Sequence, residues 1–536
     1  MSDPKHSTRR AAGLVSVAVM VSRVMGLVRE LVFAAMFGAG KFLDAYIAAF
    51  QIPNLMRDLF AEGALSTAFT ATFTRTWEKE GPAPAWILAN LIITAVIVVL
   101  GSICLVGVLF APWIVELTNH GFHHFPGKFE LTVRLTRILF PFILFVSLAA
   151  VVMGILNSRF IFGLPASAST VFNIISVAGA VIFAYWFDPQ TDWRHPHFTA
   201  KALDGVCAGT LLGGLAQLFI QAPSLFKLGY RFHWRFNLHD DRLKEVWSLM
   251  LPSVIAGAAV QVNVLVNGNF ASNIDGARSW LNCAFRLMQF PIGVFGVAIA
   301  TVTLPAVARE QARADLVSFG RTVEKSLRLA FYLTIPSALG LAVLGEPIIR
   351  LIYQHGLFQG SSTHQTALAL QGYAAGLAAY SAIKVIVPCF YALKDPQKPL
   401  QISLLGILFN LVLNFLMIRA FHLGHVGLAC TTSSVAIINL MQLLYALRRH
   451  VNYGEAAPWL DFLLRVAGAS IVCCGVAFAV NEMLNQWAHQ GFWPEVISLS
   501  LAVGLSVATY LLMSQILRIE EYQLAWSAVK RKLKLR

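Results

Sequence analysis

Residues Asp44 to Phe69 read DAYIAAFQIPNLMRDLFAEGALSTAF, an apolar stretch interrupted by Asp44, Arg57, Asp58 and Glu62. Whether those charges meet water or hydrocarbon depends on the solvent around the chain, and composition supplies the answer. Of 536 residues, 57% are hydrophobic and 13% charged, and the mean hydropathy is +0.66. Soluble domains carry roughly 25% charged residues, so this chain is built for lipid. The stretch therefore belongs to a membrane-spanning helix, with charges that need a physical reason to be there.

Working outward from it, fourteen apolar runs long enough to cross a hydrocarbon layer of roughly 30 Å as helices can be read along the chain. Seven cover residues 11–37, 43–73, 85–112, 134–157, 165–187, 203–225 and 248–272. The other seven cover 282–308, 326–353, 368–393, 400–419, 425–447, 460–484 and 493–517. The runs are continuous, whereas barrel strands alternate in polarity over about ten residues, so helices are expected. The expected fold is an all-α integral membrane protein of about fourteen transmembrane helices.

Lys and Arg set the orientation, because short loops rich in them stay cytoplasmic. One alternate set of segments holds Lys5, Arg9, Arg10, Arg75, Lys79, Arg159, Lys227, Arg231, Arg235, Arg242 and Lys244. It continues with Arg309, Arg313, Arg321, Lys325, Lys394, Lys398, Arg448, Arg449 and the basic tail from Lys530 to Arg536. The opposite set holds only Lys41, Lys128, Arg194, Lys201 and Arg278. Both termini are therefore expected in the cytoplasm. The net charge of +14 follows from this bias rather than from nucleic-acid binding, and no nucleic-acid partner is expected. The first apolar run continues through Arg23 and Arg29 without an A-x-A-like cleavage site, so it reads as a retained helix. The seven cysteines fall inside expected helices without metal-ligand spacing and read as small packing residues.

At an offset of about 235 residues the chain matches itself weakly. AFQIPNLMRDLF (Ala49 to Phe60) lies over AFRLMQFPIGVF (Ala284 to Phe295), and Leu156 and Asn173 fall near Leu393 and Asn410. This suggests two six-helix lobes with two further helices at the end. The expected division is 1–225 for the first lobe, 226–247 for a cytoplasmic linker, 248–450 for the second lobe and 451–536 for helices 13 and 14 with the basic tail. Repeats of this kind are the usual construction of transporters that rock about a midplane site.

A charge at a helix centre costs about 2.5–3.5 kcal/mol on insertion scales, so ionisable residues there are functional candidates. Helix 1 carries Arg23, about 18 Å from Ala11 along the axis, then Arg29 and Glu30. Helix 2 carries Asp44, Arg57, Asp58 and Glu62, with Pro53 preceding the last three, and helix 8 carries Arg286. Four arginines from three helices of both lobes would clamp an anion. The guanidinium suits phosphate because its planar donors engage two oxygens and stay charged when partly desolvated. The competing structural reading is that the arginines pair with Glu30, Asp44, Asp58 and Glu62 and only join helices. Asn263, Asn267 and Asn269 in helix 7, Asn410 and Asn414 in helix 11, and Thr431 in helix 12 could line a cation site; of these, Asn267, Asn410, Asn414 and Thr431 form the candidate set. Interhelical hydrogen bonding is the commoner use of such residues. No H-E-x-x-H or G-x-x-x-x-G-K-[ST] motif occurs, so neither a metal site nor nucleotide binding is expected.

The stretches SRVMGLVRE (Ser22 to Glu30), FGAGKFLDAYIAAFQIPNLMRDLFAEGALSTAF (Phe37 to Phe69), FRLMQFPIGVFGVAIATVTLP (Phe285 to Pro305) and YQHGLF (Tyr353 to Phe358) resemble the MurJ (MviN) family of lipid II flippases. That family lies within the multidrug/oligosaccharidyl-lipid/polysaccharide exporter superfamily, and similar order and spacing extend over essentially the whole chain. The resemblance implies a transporter rather than an enzyme, with no cofactor, in the bacterial inner (plasma) membrane. It implies translocation of lipid II, a polyprenyl-diphosphate-linked disaccharide peptide, from the cytoplasmic to the outer leaflet by alternating access. Membrane lipids and the cell-wall synthesis machinery would be partners. Carried over by motif, Arg23, Arg29, Arg57 and Arg286 bind the diphosphate, Asp44 and Glu62 gate or pair, and helices 13 and 14 form a groove for the polyprenyl tail. Two departures stand out. Family members commonly read D-R-L-x-E-F-P in helix 8, where this chain has Phe285 and Gln289 in place of the acids, and the sodium-binding carboxylates of some members fall here on asparagines and Thr431.

A flippase for another polyprenyl-linked glycan remains the serious competitor, since arginines read phosphate rather than sugar. A cation-coupled drug exporter of the same fold would favour an acidic pocket, and a polyprenyl-phosphate-using enzyme would need a metal or general base at the membrane face.

Overall fold

The computed structural model describes residues 4–59, 65–189, 191, 198–237, 239–454 and 456–523; among helical residues, the side chains of 4–16, 66, 67, 252, 253, 255, 256, 259, 260 and 456 lie outside that description. The expected acid Glu62 and the basic tail fall outside the described residues. The described residues fold into helices and connections without a strand.

The chain forms two compact units. The first comprises residues 1–278 and the short segment Gly356–Phe358. Its helices are α1 (Pro4–Phe37), α2 (Lys41–Arg57), α3 (Leu65–Glu80), α4 (Pro82–Leu109), α5 (Ala111–Asn119), α6 (Lys128–Leu139), α7 (Phe142–Ser158), α8 (Gly163–Phe187), α9 (Ala200–Phe219), α10 (Ala222–Lys227) and α11 (Asp241–Ala271). α11 lies within residues 226–247 and 248–450 of the division read from the sequence, and it packs on α3, α4 and α5 as part of the first unit. α12 (Ala277–Pro291) starts at the end of the first unit and runs on into the second.

The second unit continues with α13 (Val297–Ala312), α14 (Leu316–Val343), α15 (Gly345–Tyr353), α16 (Gly360–Ala374), α17 (Leu377–Ala392), α18 (Gln397–Phe415), α19 (Gly424–Arg448), α20 (Ala456–Ala488) and α21 (Phe492–Ile516). Its main core joins α13, α14, α17 and α19 around Phe319, Leu327, Val385, Phe390 and Leu447. A second cluster lays α20 and α21 on α14, where the Tyr510 hydroxyl donates to the Tyr332 carbonyl at 2.7 Å. Arg328 of α14 pairs with Glu521 beyond α21 at 2.5 Å, and Arg350 of α15 pairs with Glu495 at the start of α21. The terminal hairpin is thus tied by ion pairs at both ends.

Ten helices, some built from two consecutive elements, are long and apolar enough to cross a membrane, or eleven if the pair α16 and α17, bent by 45°, is one span. That count applies to the described residues, and the remaining three expected spans fall on α1, α2 with α3, and α11. The expected run 326–353 breaks at Leu344. Gly345 and Pro347 open α15 there, and proline at a helix start gives up an N–H that has no partner in any case. The run 282–308 instead passes through Pro291 by a wide π turn over Ile292–Gly296 and keeps one span from Ala277 to Ala312.

Membrane helices gain little from burying apolar surface against one another, so close backbone approach at small residues carries much of their packing. In α9, Gly205, Gly209 and Gly213 recur every fourth residue on one face against α8. A Cβ on Gly209 would stand 2.2 Å from the Ala180 nitrogen, one on Gly205 2.4 Å from the Phe183 carbonyl, and one on Gly213 2.8 Å from the Phe172 carbonyl. These atoms are backbone and cannot swing away. Replacing Gly209 with Val should lower thermal stability in detergent by about 1–3 kcal/mol through overpacking. Gly504→Ala, where nothing lies within 4 Å, should leave the unfolding temperature essentially unchanged.

Candidate functional site

α1 and α2 present the charges of the first unit. α1 runs unbroken through Arg23, Gly26, Arg29 and Glu30, and it packs on α8, where Asn173 donates to the Ser22 carbonyl at 3.2 Å. Arg23 is exposed on this helix, while Arg29 and Glu30 are half-buried. The Arg29 guanidinium lies 5.2 Å from the centroid of Phe172 and 5.7 Å from that of Phe50. Phe50 stacks on Tyr46 and meets Phe142, so Arg29 caps an aromatic cluster built from α2, α7 and α8. The ring faces attract the cation and fix its plane.

At the other end of α2, Arg57 donates to Asp58 Oδ1 at 2.9 Å, both side chains half-buried. A pair of this kind between neighbouring residues joins no helices. It holds the guanidinium near its own backbone.

Asp44, near the start of α2, belongs to a different arrangement. Lys128, the first residue of α6, and Asp44 are both fully buried and 2.7 Å apart, and Lys128 also reaches Asp275 at 2.7 Å. Asp44 Oδ2 further accepts the Gly276 N–H at 2.8 Å. The ammonium lies over the rings of Phe122 and Phe125 at 4.5 and 4.8 Å. Next to it Arg278, 5% exposed, donates to the Thr118 carbonyl at 3.1 Å and to Gln51. The turn at 120–124 is pinned to the same place: its Gly121 N–H donates to Ser272 Oγ at 3.0 Å, and a Cβ there would stand 2.6 Å from the Asn273 nitrogen. Beside that turn, hydrogen bonds from His123 and His120 hold the Glu116 carboxyl below its ordinary range.

Lys128 and Arg278, which sequence reasoning leaves among the outer-side charges, and Asp275, which it does not single out, are further candidates. A signal was present. Basic residues that run against the positive-inside bias need another reason to exist, and three of the five are tied: Lys41 to the Pro126 carbonyl at 2.6 Å, Lys128 to two carboxylates and Arg278 to Gln51 and Thr118.

In the second unit, Arg286 is half-buried on α12, beside Phe285, whose ring meets Tyr373 edge-on at 5.4 Å, while Gln289 is exposed. Of the candidate cation residues, Asn414 donates to Asn410 Oδ1 at 3.0 Å within α18, both buried, and Thr431 is buried on α19, which packs against α18. Asn267 is half-buried on α11 in the first unit. Among the described residues, no group of three or more His, Cys, Asp or Glu side chains could hold a metal.

Helical units with ten or eleven stretches long and apolar enough to cross a membrane, carrying buried charge among the described residues, define an integral membrane protein. Across solved structures, the fold matches "Lipid II flippase MurJ, inward closed conformation" with a TM-score of 0.76 at 24% identity, covering 94% of this chain and 98% of that one. It also matches an inward-facing MATE multidrug transporter of the MOP superfamily, with a TM-score of 0.66 at 15% identity over 85% of this chain and 98% of that one. The family profile "Lipid II flippase MurJ" matches residues 33–498. The "Probable lipid II flippase MurJ" of Vibrio cholerae is 32% identical over 93% of this chain and 94% of its own length. The "Lipid II flippase MurJ" of Burkholderia cenocepacia is 32% identical over 87% and 89%. The chain belongs to the MurJ family, a family of transporters rather than enzymes.

Removing one partner of a buried ion pair leaves an uncompensated charge, at a cost of about 3–5 kcal/mol. Lys128→Met should therefore lower the unfolding temperature sharply, and adding Asp44→Asn should recover part of the loss, because the amide keeps an oxygen for the Gly276 N–H. Thermal unfolding of the two single variants and the double variant reads this directly; additive losses would mean that the two side chains do not interact.

Proposed function

We propose that this protein translocates lipid II from the cytoplasmic to the outer leaflet of the bacterial inner (plasma) membrane. The observation that carries this reading is the match, over nearly the whole chain, to relatives named as lipid II flippases. The charges fit the task. Arg23, Arg29 and Arg57 of the first unit and Arg286 of the second bind the diphosphate, whose oxygens accept paired hydrogen bonds from a guanidinium. Ring contacts that hold the Arg29 guanidinium reduce the ordering cost when an anion arrives. Glu30, Asp58 and Glu62 balance these cations while the site is empty.

The two units are the bodies that exchange access, in fourteen spans with both termini cytoplasmic. No covalent step is needed, because a ligand shifts such an equilibrium through its different affinity for the two states. On the side that the charge bias assigns to the exterior, Asp44, Lys128 and Asp275 brace the first unit. α20 and α21, tied to α14 and α15, carry the polyprenyl tail along their apolar faces.

The test is complementation of a bacterium depleted of its own lipid II flippase, reading lipid II in the outer leaflet. The wild-type chain should restore it. Arg57→Ala and Arg29→Ala should insert normally and reduce outward lipid II at least tenfold, whereas Gly101→Ala on α4, where nothing lies within 4 Å of an added Cβ, should behave as wild type. Failure of the correctly inserted wild-type chain would assign it to another polyprenyl-linked glycan. Wild-type transport by Arg57→Ala would remove that residue from the site.

A further inference from the structure

The connection between α10 and α11 contains Arg231-Phe232-His233-Trp234-Arg235-Phe236, in which aromatic and basic residues alternate. Its backbone is fixed to α4. Asn90 Nδ2 donates to the Arg231 carbonyl at 3.2 Å, Asn90 Oδ1 accepts the His233 N–H at 3.1 Å, and Thr94 Oγ1 accepts the Arg235 N–H at 3.3 Å. Tyr230, buried against Trp86, donates its hydroxyl to Asn90 Oδ1 at 2.8 Å and anchors the leading end. Asn90 and Thr94 are one helical turn apart, so they hold an extended strap along one face of the helix.

The strap's side chains do not serve the core. Phe232, Trp234 and Phe236 are 39, 66 and 68% exposed, and Arg231, His233 and Arg235 are exposed beside them. Depth along α4 accounts for this. The helix has 28 residues, about 42 Å, against a hydrocarbon thickness of roughly 30 Å or about twenty residues. Counting twenty residues back from Leu109 reaches Asn90, which puts the Arg231 end of the strap at the edge of the hydrocarbon on the side carrying Lys227, Arg242 and Lys244; the Arg235 end, held at Thr94, lies about 6 Å further in, a depth from which an arginine side chain reaches back to the headgroups. Aromatic rings prefer this level, and basic side chains there meet lipid phosphates.

We propose that residues 231–236 form a docking strap for anionic phospholipid headgroups of the surrounding bilayer, with Arg231 and Arg235 on the phosphates and the three rings seated at the glycerol level. The strap fixes the depth of the first unit in the membrane. This goes beyond the transport reading and does not depend on it, since the ligand is bulk lipid rather than cargo.

The test uses the full-length protein in detergent with equal phosphatidylglycerol and phosphatidylcholine, reading retained lipids by native mass spectrometry. Arg231→Gln with Arg235→Gln should reduce the preference for phosphatidylglycerol by roughly tenfold or more, as expected for two interfacial arginines. In liposomes, a spin label on Trp234→Cys should collide with oxygen more than with a water-soluble nickel complex. An unchanged lipid preference in the double Gln variant would overturn the proposal, as would a label sitting in water. It would also be overturned if a polyprenyl diphosphate displaced phosphatidylglycerol from the wild-type protein but not from the double variant, which would make the strap a cargo site.

Discussion

Hydrocarbon solvates neither a bare charge nor a bare peptide group, and most of this structure follows from that single constraint. Backbone groups are satisfied by making the described residues helical wherever they cross. Charges are satisfied by partners. Lys128 shows the stricter case: fully buried, it sits between two carboxylates and two aromatic rings. The partners come from α2, from the turn after α11 and from the segment before α6, so one ammonium fixes three distant parts of the chain. Arg29 shows the looser case, with a guanidinium steadied by rings at half burial.

That difference separates two kinds of charge within one unit. A fully desolvated pair resists change, because breaking it strands a charge. A half-buried arginine can exchange its contacts for a phosphate at much lower cost, since its guanidinium is weakly hydrated and pre-shaped for two oxygens. Asp44 and Arg57 lie on the same helix, thirteen residues apart, yet the first is locked to Lys128 and the second to its own neighbour Asp58.

The helices were legible because a long apolar run has few other uses: residues 165–187 became α8 from Gly163 to Phe187, and 493–517 became α21 from Phe492 to Ile516. Breaks inside runs were less legible. Leu344 interrupts one and a π turn carries another past Pro291, which depends on what each proline packs against. The glycine ladder of α9 is visible in the sequence, but nothing local names α8 as its partner. The candidate arginines stand out against apolar neighbours, whereas Lys128, Asp275 and Arg278 look like loop charges until the fold closes around them. Counting helices puts residues 248–272 in the second lobe, whereas contacts, which a count does not contain, place α11 with the first unit.

The central claim is that charge held inside the membrane serves to bind a lipid-linked diphosphate. The most direct measurement is competition for the purified protein between lipid II, a polyprenyl diphosphate and the uncharged polyprenol of the same length. The account predicts that the diphosphate displaces lipid II while the alcohol, at equal concentration, does not, and that neutralising Arg29 and Arg57 removes the difference. Equal displacement by alcohol and diphosphate would contradict it, leaving the arginines as structural charges and the tail as the only part of the lipid that the protein reads.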